Sequence, residues 1–459
     1  MRIFKYTSLV AIATLTLASC SSVKNMAVPT MDTAVNITSA KLGTVTEEQS
    51  KHWAHADLAT DTIPGMSLEK AYEFLEGKKG TTVIVGVVDS GIDIEHEDLK
   101  DVLWMNTKEI AGNGIDDDKN GYIDDIYGWN FLGGNGVAAP EQLEITRIVA
   151  KLNPRFEGKT IEEISTEDKA DFEKYQEYVK AYEASGSRHF STLERLVEIE
   201  KTFNAVKKHI GKSTLSLNDL NAIQTEDETL KGQVQGLTAL YGRGLDEEQF
   251  NEYYETQKKN KNYDFTFDGR AIVGDNPEDI NDVVYGNGNV IGSKDEESHG
   301  THVAGIILAT RNNGVGMNGV ATNAKLMSVR AVPDGDERDK DVALAIRYAV
   351  DNGAKVINMS FGKNYSPNKE WVFDAFKYAE KHDVLLVHAA GNDSKDIDVK
   401  PNWPNDSADK VVEYVDNVLT VGAMSLNHDE NLPANFSNYG KTNVDVFAPG
   451  VQIYSTVPK

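Results

Sequence analysis

Three side chains stand where this chain could move protons and stabilise charge. His299 sits early in the stretch Ser298-His299-Gly300-Thr301-His302-Val303-Ala304-Gly305. Small and apolar residues follow as far as Leu308, so the pattern predicts a loop entering a tightly packed helix with an imidazole at its start. An imidazole titrates near neutrality, which suits a general base. Asp89 ends the run Val83-Ile84-Val85-Gly86-Val87-Val88 and is followed by Ser90-Gly91. A carboxylate at the carboxyl end of a buried strand lies where open α/β sheets keep their sites. Asn392 follows a third run, Val387-His388-Ala389-Ala390-Gly391, and its amide can donate to a developing oxyanion. Alone, the His could merely begin a helix and the Asp could be a turn residue; three such motifs in order point to chemistry.

The elements that must hold these groups can be read outward from them. The spacing predicts strands over residues 325–331, 356–360, 384–390 and 418–423, with helices over 339–351 and 368–381. Strands alternating with helices of that length imply an α/β fold, a doubly wound and mainly parallel sheet with helices on both faces. Upstream, Ser67 reads as the N-cap of a short helix that Gly77 and Gly80 close.

Val88-Asp89-Ser90-Gly91-Ile92, His299-Gly300-Thr301-His302-Val303-Ala304-Gly305 and Ala389-Ala390-Gly391-Asn392 resemble the aspartate, histidine and oxyanion-asparagine motifs of subtilisin-like serine peptidases, the subtilases. Asn358-Met359-Ser360-Phe361-Gly362 resembles that family's substrate-binding strand. Phe436-Ser437-Asn438-Tyr439-Gly440 and Asp445-Val446-Phe447-Ala448-Pro449-Gly450-Val451 resemble its late segments. The resemblance covers about residues 63–132 and 263–459, and the order Asp before His agrees with it. It implies a serine endopeptidase in which Asp89 orients His299, His299 is the general base and Asn392 donates to the oxyanion. Ser360, Phe361, Gly362, Ala390 and Gly391 would bind the polypeptide substrate's backbone and line the specificity pocket.

The family's nucleophile lies in a Gly-Thr-Ser-Met-Ala segment, and no Gly-Thr-Ser occurs in these 459 residues. Ser90, Ser298, Ser360 and Ser455 lack the strand-to-helix setting of an activated serine. The expectation is a chain that ends before its serine motif, is catalytically silent and poorly stable, and exposes an apolar groove beside His299. The reading from another class is a pseudoenzyme that binds a peptide or a partner chain.

A second kind of site lies in Asn113-Gly114-Ile115-Asp116-Asp117-Asp118-Lys119-Asn120-Gly121-Tyr122-Ile123-Asp124-Asp125. Asp116, Asp118 and Asn120 take positions 1, 3 and 5 of a calcium loop, Gly121 the sharp turn, Tyr122 a carbonyl and Asp124 position 9. The bidentate Glu at position 12 is missing, and Asp125 is its candidate replacement. So many like charges repel without a cation, so Ca²⁺ in a structural role is expected; the plain alternative is a solvated acidic turn.

The net charge of −25 argues against nucleic acid as a partner. The single cysteine, Cys20, excludes a disulfide within the chain. It follows a basic start and an apolar run too short to span a bilayer. Leu17-Ala18-Ser19-Cys20 resembles a bacterial lipoprotein processing box, which implies a signal peptide over 1–20, lipid on Cys20 and a cell-envelope location, by resemblance the outer membrane. Residues 21–62 read as a tether, 63–138 and 263–459 as the two parts of the catalytic unit, and 139–262 as a helical insertion. Capping boxes at Thr160-Ile161-Glu162-Glu163 and Ser191-Thr192-Leu193-Glu194 predict helix starts in that insertion, with Gly186, Gly211, Gly242 and Gly244 as breaks. Its role is open between a stabilising appendage and a lid or docking surface.

Overall fold

A computed structural model describes residues 45–407 and 412–459; Cys20 and the leader lie outside them. Seven strands form one sheet, β1 Val83–Asp89, β2 Gly128–Asn130, β3 Ala324–Arg330, β4 Ala354–Met359, β5 Leu385–Ala389, β6 Val418–Met424 and β7 Val446–Pro449. Their order is β2-β3-β1-β4-β5-β6-β7, and each neighbouring pair is parallel. Strand order reverses at β1, which lies between β3 and β4. Such a switch point opens a crevice at the carboxyl ends, and β1 ends there in Asp89.

One face of the sheet is covered along β1, β3, β4 and β5, the other over β1 and β3, while β7 stays half-buried to exposed, with Val446 and Phe447 open to solvent. On one, Val88, Val329, Ile357 and Leu386 pack with Ala345, Ile346, Val372 and Phe376 of the helices Asp339–Asp351 and Lys369–Lys381. On the other, Val85, Val87 and Leu326 pack with Val303, Ala304 and Leu308 of the helix His299–Leu308. Burying each Val or Leu contributes about 1.5–3 kcal/mol. The predicted strands and helices fall at these places to within two residues. Ser67 is a correction: its φ is +55° and its side chain makes no cap bond to the Leu68–Leu75 helix.

Five α-helices lie between Glu144 and Lys258. The longest, Lys169–Ile210, runs unbroken for 42 residues, about 63 Å. It passes through both Gly186 and the sequence Ser191-Thr192-Leu193-Glu194, so neither starts or stops a helix. Ser191 and Thr192 instead turn their hydroxyls back to Arg188 O at 3.1 and 2.8 Å. Gly186 is there for space: a Cβ would lie 2.4 Å from the Phe190 ring. Gly211, at φ +69°, is the stop that the sequence predicts.

Candidate active site

Asp89 and His299 meet. The two oxygens of the Asp89 carboxylate lie 2.8 and 3.0 Å from His299 Nδ1. Asp89 is 1 % exposed, whereas the His299 side chain keeps 59 % of its surface. A buried carboxylate thus holds one ring nitrogen and leaves Nε2 for the solvent side. The hydrogen bond to Asp89 raises the His299 pKa above the ordinary imidazole value, against the effect of desolvation. Ser90 N also donates to Asp89 Oδ1 at 2.8 Å.

Close backbone approach makes this contact possible. Gly91 has φ +117°, and a Cβ on Gly300 would lie 2.2 Å from Gly91 O. No other residue fits at either place without moving the His299 turn off the end of β1.

Two cavities flank His299. One, of about 340 Å³, is lined by Asp89, Ser90, Ala138, Glu296, Val332 and Asp334. The other, of about 330 Å³, is lined by Asn358, Val387, Gly391, Asn392, Gly422 and Ala448. Ser360 borders both. Among the predicted substrate-binding residues, Ser360 and Gly391 line a cavity, Phe361 and Ala390 stand behind the wall, and Gly362 is exposed outside both cavities. Phe361 and Ala390 are buried; Gly362 packs against Asn402, where a Cβ would lie 2.4 Å from Nδ2.

Asn392 is exposed in the same cavity as His299. Its turn is held from beneath by Asn438, which is fully buried. Asn438 Nδ2 donates to Ala390 O at 2.8 Å, its backbone N donates to Gly391 O at 2.8 Å, and its Oδ1 accepts from Asp393 N at 2.9 Å. That gives the late segment around Asn438 a physical task. His388, directly below, donates from Nε2 to Phe361 O at 2.9 Å, since a carbonyl can only accept. Burial pushes the His388 pKa down to about 4 and keeps the ring neutral.

A description of the subtilase family matches residues 80–458, most of the chain. The chain belongs to the subtilase family. Among similar proteins are a thermophilic serine proteinase of Bacillus sp. strain AK1, 41% identical over 164 residues, which are 36% of this chain and 37% of the relative. A cell wall-associated protease of Bacillus subtilis is 39% identical over 36% of this chain and 16% of its own length. Thermitase of Thermoactinomyces vulgaris is 37% identical over 35% of this chain and 52% of its own. The chain thus spans between 16% and 52% of the length of these subtilases.

The sequence reading missed Arg330, the residue that braces the subtilase dyad from below. It ends β3 opposite Asp89 in the parallel register and is fully buried. Its Nε donates to Ser90 O at 2.8 Å, its Nη1 to Gly133 O at 3.1 Å, and its Nη2 to Glu297 Oε2 at 2.8 Å. Glu297 lies two residues before His299. One guanidinium therefore links the Asp89 turn to the His299 turn, and a lone Arg in a strand pattern carries no sign of that.

The acidic loop departs from the predicted ligand set. Asp116, Asp118 and Glu109 bring carboxylate oxygens within 4.8 Å of one another. Glu109 lies outside the loop motif and was not predicted. Asp124 turns away and caps Gly112 N, Asn113 N and Gly114 N at 2.8–3.3 Å. Asp125 is buried and accepts from Asn106, Asn120 and Tyr348 at 2.7, 3.0 and 2.7 Å. Asn120 Oδ1 is taken by Tyr122 N at 2.8 Å, and the Tyr122 ring packs edge-on to Trp129 and Tyr348. The aromatic core beneath draws Asp125 inward, so Glu109, Asp116 and Asp118 are the three carboxylates grouped closely enough for a hard cation, while the packing of the Tyr122 ring does not engage the carbonyl that the loop pattern assigns to it.

An apolar cavity of about 290 Å³ runs along the helix His299–Leu308, lined by Trp53, Met66, Ile306, Ile307, Ala448 and Pro449. It shares Ala448 and Pro449 with the cavity beside His299, whose wall combines the apolar Val387, Ala389, Val421 and Ala423 with the polar Asn358, Ser360 and Asn392. The last residues run along the helix's first turns. Ser455 Oγ donates to His302 O at 2.6 Å and Thr456 Oγ1 to Thr301 O at 2.7 Å.

Proposed function

We propose that this chain supplies the acid–base half of a serine endopeptidase centre that hydrolyses peptide bonds by an Asp-His-Ser triad. The observation that carries the reading is the buried Asp89 carboxylate on Nδ1 of an exposed His299. Asp89 fixes the tautomer and stabilises the imidazolium, Nε2 takes the nucleophile's proton, and Asn392 donates to the oxyanion. The His299 pKa is raised, and the base works only when neutral, so hydrolysis should rise with pH through a midpoint above that of free imidazole.

One observation favours the second reading, a catalytically dead peptide binder. Each serine near the dyad has its hydroxyl otherwise engaged or lies at a helix start. Ser90 Oγ faces Asp89, Ser360 Oγ accepts from Asn358 at 2.9 Å, Ser455 Oγ serves His302 O, and Ser298 precedes the helix. Reading the gene past codon 459 and assaying its product on labelled casein separates the two. A Gly-Thr-Ser-Met-Ala frame with hydrolysis abolished by His299→Ala sustains the peptidase; a stop codon, with casein bound and left intact, sustains the binder. Glu109, Asp116 and Asp118 would hold a Ca²⁺ that offsets their mutual repulsion and locks the loop ahead of β2.

A further inference from the structure

The helical insertion is rooted on both rims of the cleft. On one rim, Asp334 N donates to Ala139 O at 2.8 Å, Glu141 N to Asp334 O at 2.9 Å, and Asp336 N to Gln142 O at 3.2 Å. Ala138 and Asp334 both line the cavity that contains Asp89 and His299. On the other rim, Lys363 lies three residues after Ser360 and is fully buried. Its Nζ meets Glu144 Oε2 at 2.9 Å, Asp339 Oδ1 at 2.8 Å and Glu337 O at 2.6 Å. Glu144 opens the insertion's helix Glu144–Phe156. Arg147, one turn on, grips Glu144 Oε2 at 2.5 Å and donates to Asp336 O at 2.9 Å. Tyr178, from the long helix, meets Tyr365 edge-on at 5.8 Å.

These contacts are of a kind that fixes position. Surface pairs are loose, but a buried, multiply bonded ammonium has one low-energy geometry, and removing a partner strands a charge. Burial pushes Glu337 up to about 8, so below that pH its carboxyl is neutral and Lys363 is balanced by Glu144 and Asp339. Segment 360–363 is also pinned by Trp403, whose O accepts from Lys363 N at 2.9 Å, and by His388 on Phe361 O.

We propose that the root of the insertion is a brace for the substrate cleft, with Glu144 and Lys363 as positioning residues that hold segment 360–363 against the 334–337 rim. The proposal rests on reading the cleft as a peptide-binding groove. The insertion then acts through the wall it supports, without touching the substrate.

Hydrogen–deuterium exchange on the 459-residue chain tests this. Glu144→Gln keeps the shape and removes the charge. Exchange across 360–366 should quicken by about tenfold or more, the loss of a charge-assisted hydrogen bond, while β1 and β3 exchange as before. Affinity for fluorescein-labelled Ala-Ala-Pro-Phe amide should fall in parallel, and Glu144→Asp should restore part of both. If Glu144→Gln does not fold, Tyr178→Ala probes the same segment from the half-buried contact. A folded variant with a lower melting temperature, but with 360–366 exchanging no faster than in the parent and with unchanged peptide affinity, overturns the brace. If the parent chain itself fails to bind the peptide, the groove reading falls, and the exchange comparison alone decides whether the brace exists.

Discussion

The sheet body with the root of the insertion, and the insertion's outer arm, hold their charges differently. In the first, ions are buried and bonded several times over: Arg330 with Glu297, Lys363 with Asp339 and with Glu144 of the root, and Arg270 with Asp341 at 2.7 Å and Asp275 at 2.6 Å. In the outer insertion, pairs such as Lys201–Glu198, Lys231–Glu228 and Lys258–Glu255 lie on the surface. That arm is held by its own apolar core, in which Leu196, Phe203, Val206, Leu237 and Phe250 meet from several helices. Capping boxes at Ser216 and Asp246 fix where two of those helices begin. Exposed pairs contribute little, about 0–1 kcal/mol, whereas breaking a buried one costs about 3–5 kcal/mol. The lesson is that buried ions fix the sheet body and the root beside the cleft, whereas the arm relies mainly on apolar packing, with Lys207–Glu247 as its one well-shielded pair among those described.

That contrast can be broken at several levels. The largest effect is expected from Arg330→Met, which leaves Glu297 buried without its cation. Denaturant unfolding of the sheet body should lose about 3–5 kcal/mol; a loss below about 1 kcal/mol would show that Arg330 holds nothing. Next, Phe203→Ala empties the middle of the arm's core and should cost about 3–5 kcal/mol there. The loss should appear as faster amide exchange over residues 193–254, with β1 and β4 unchanged, and Lys201→Ala on the same helix should change stability by less than about 0.5 kcal/mol. Exchange that quickens in the sheet as well would mean that arm and body unfold together. A smaller shift than these core losses is expected from calcium, whose proposed site at Glu109, Asp116 and Asp118 lies in the segment before β2. At a hundredfold excess over its dissociation constant the ion adds about 2.7 kcal/mol by mass action, so the melting temperature should rise with free Ca²⁺ and drop in EDTA. Glu109→Gln should remove most of that response, and an unchanged response would move the site elsewhere.

The pH dependence of stability should report on the cleft wall from two sides. His388 is held neutral, with its pKa lowered to about 4, so the stability it contributes is full above the unfolded imidazole value. It is lost as pH falls from there through about 4. Glu337, raised to about 8, works in the other direction: its contribution is full below the unfolded carboxyl value and lost as pH rises through about 8. Both groups pack against segment 361–363, His388 through Phe361 O and Glu337 through its carbonyl on Lys363 Nζ, so acid and alkali should both loosen that wall of the cleft.

The linear sequence was enough for whatever depends on neighbours in the chain. Alternating β-branched runs and helical periods placed the strands and helices of the sheet, because side-chain period is a local property. Asp89 could be read at a strand's end and His299 at a helix's start for the same reason. The tertiary structure alone decided which distant groups meet. The 2.8 Å contact of Asp89 with His299, the link from Arg330 to Glu297 and the pairing of Lys363 with Glu144 all join residues that strand order brings together. It also decided the fate of local signals in competition with packing. Gly186 stays inside a helix because Phe190 needs the space, and Asp125 leaves the acidic loop because Tyr348 and Asn106 offer it hydrogen bonds in the core. A motif states what a residue can do; the partners that burial supplies decide which of those things it does.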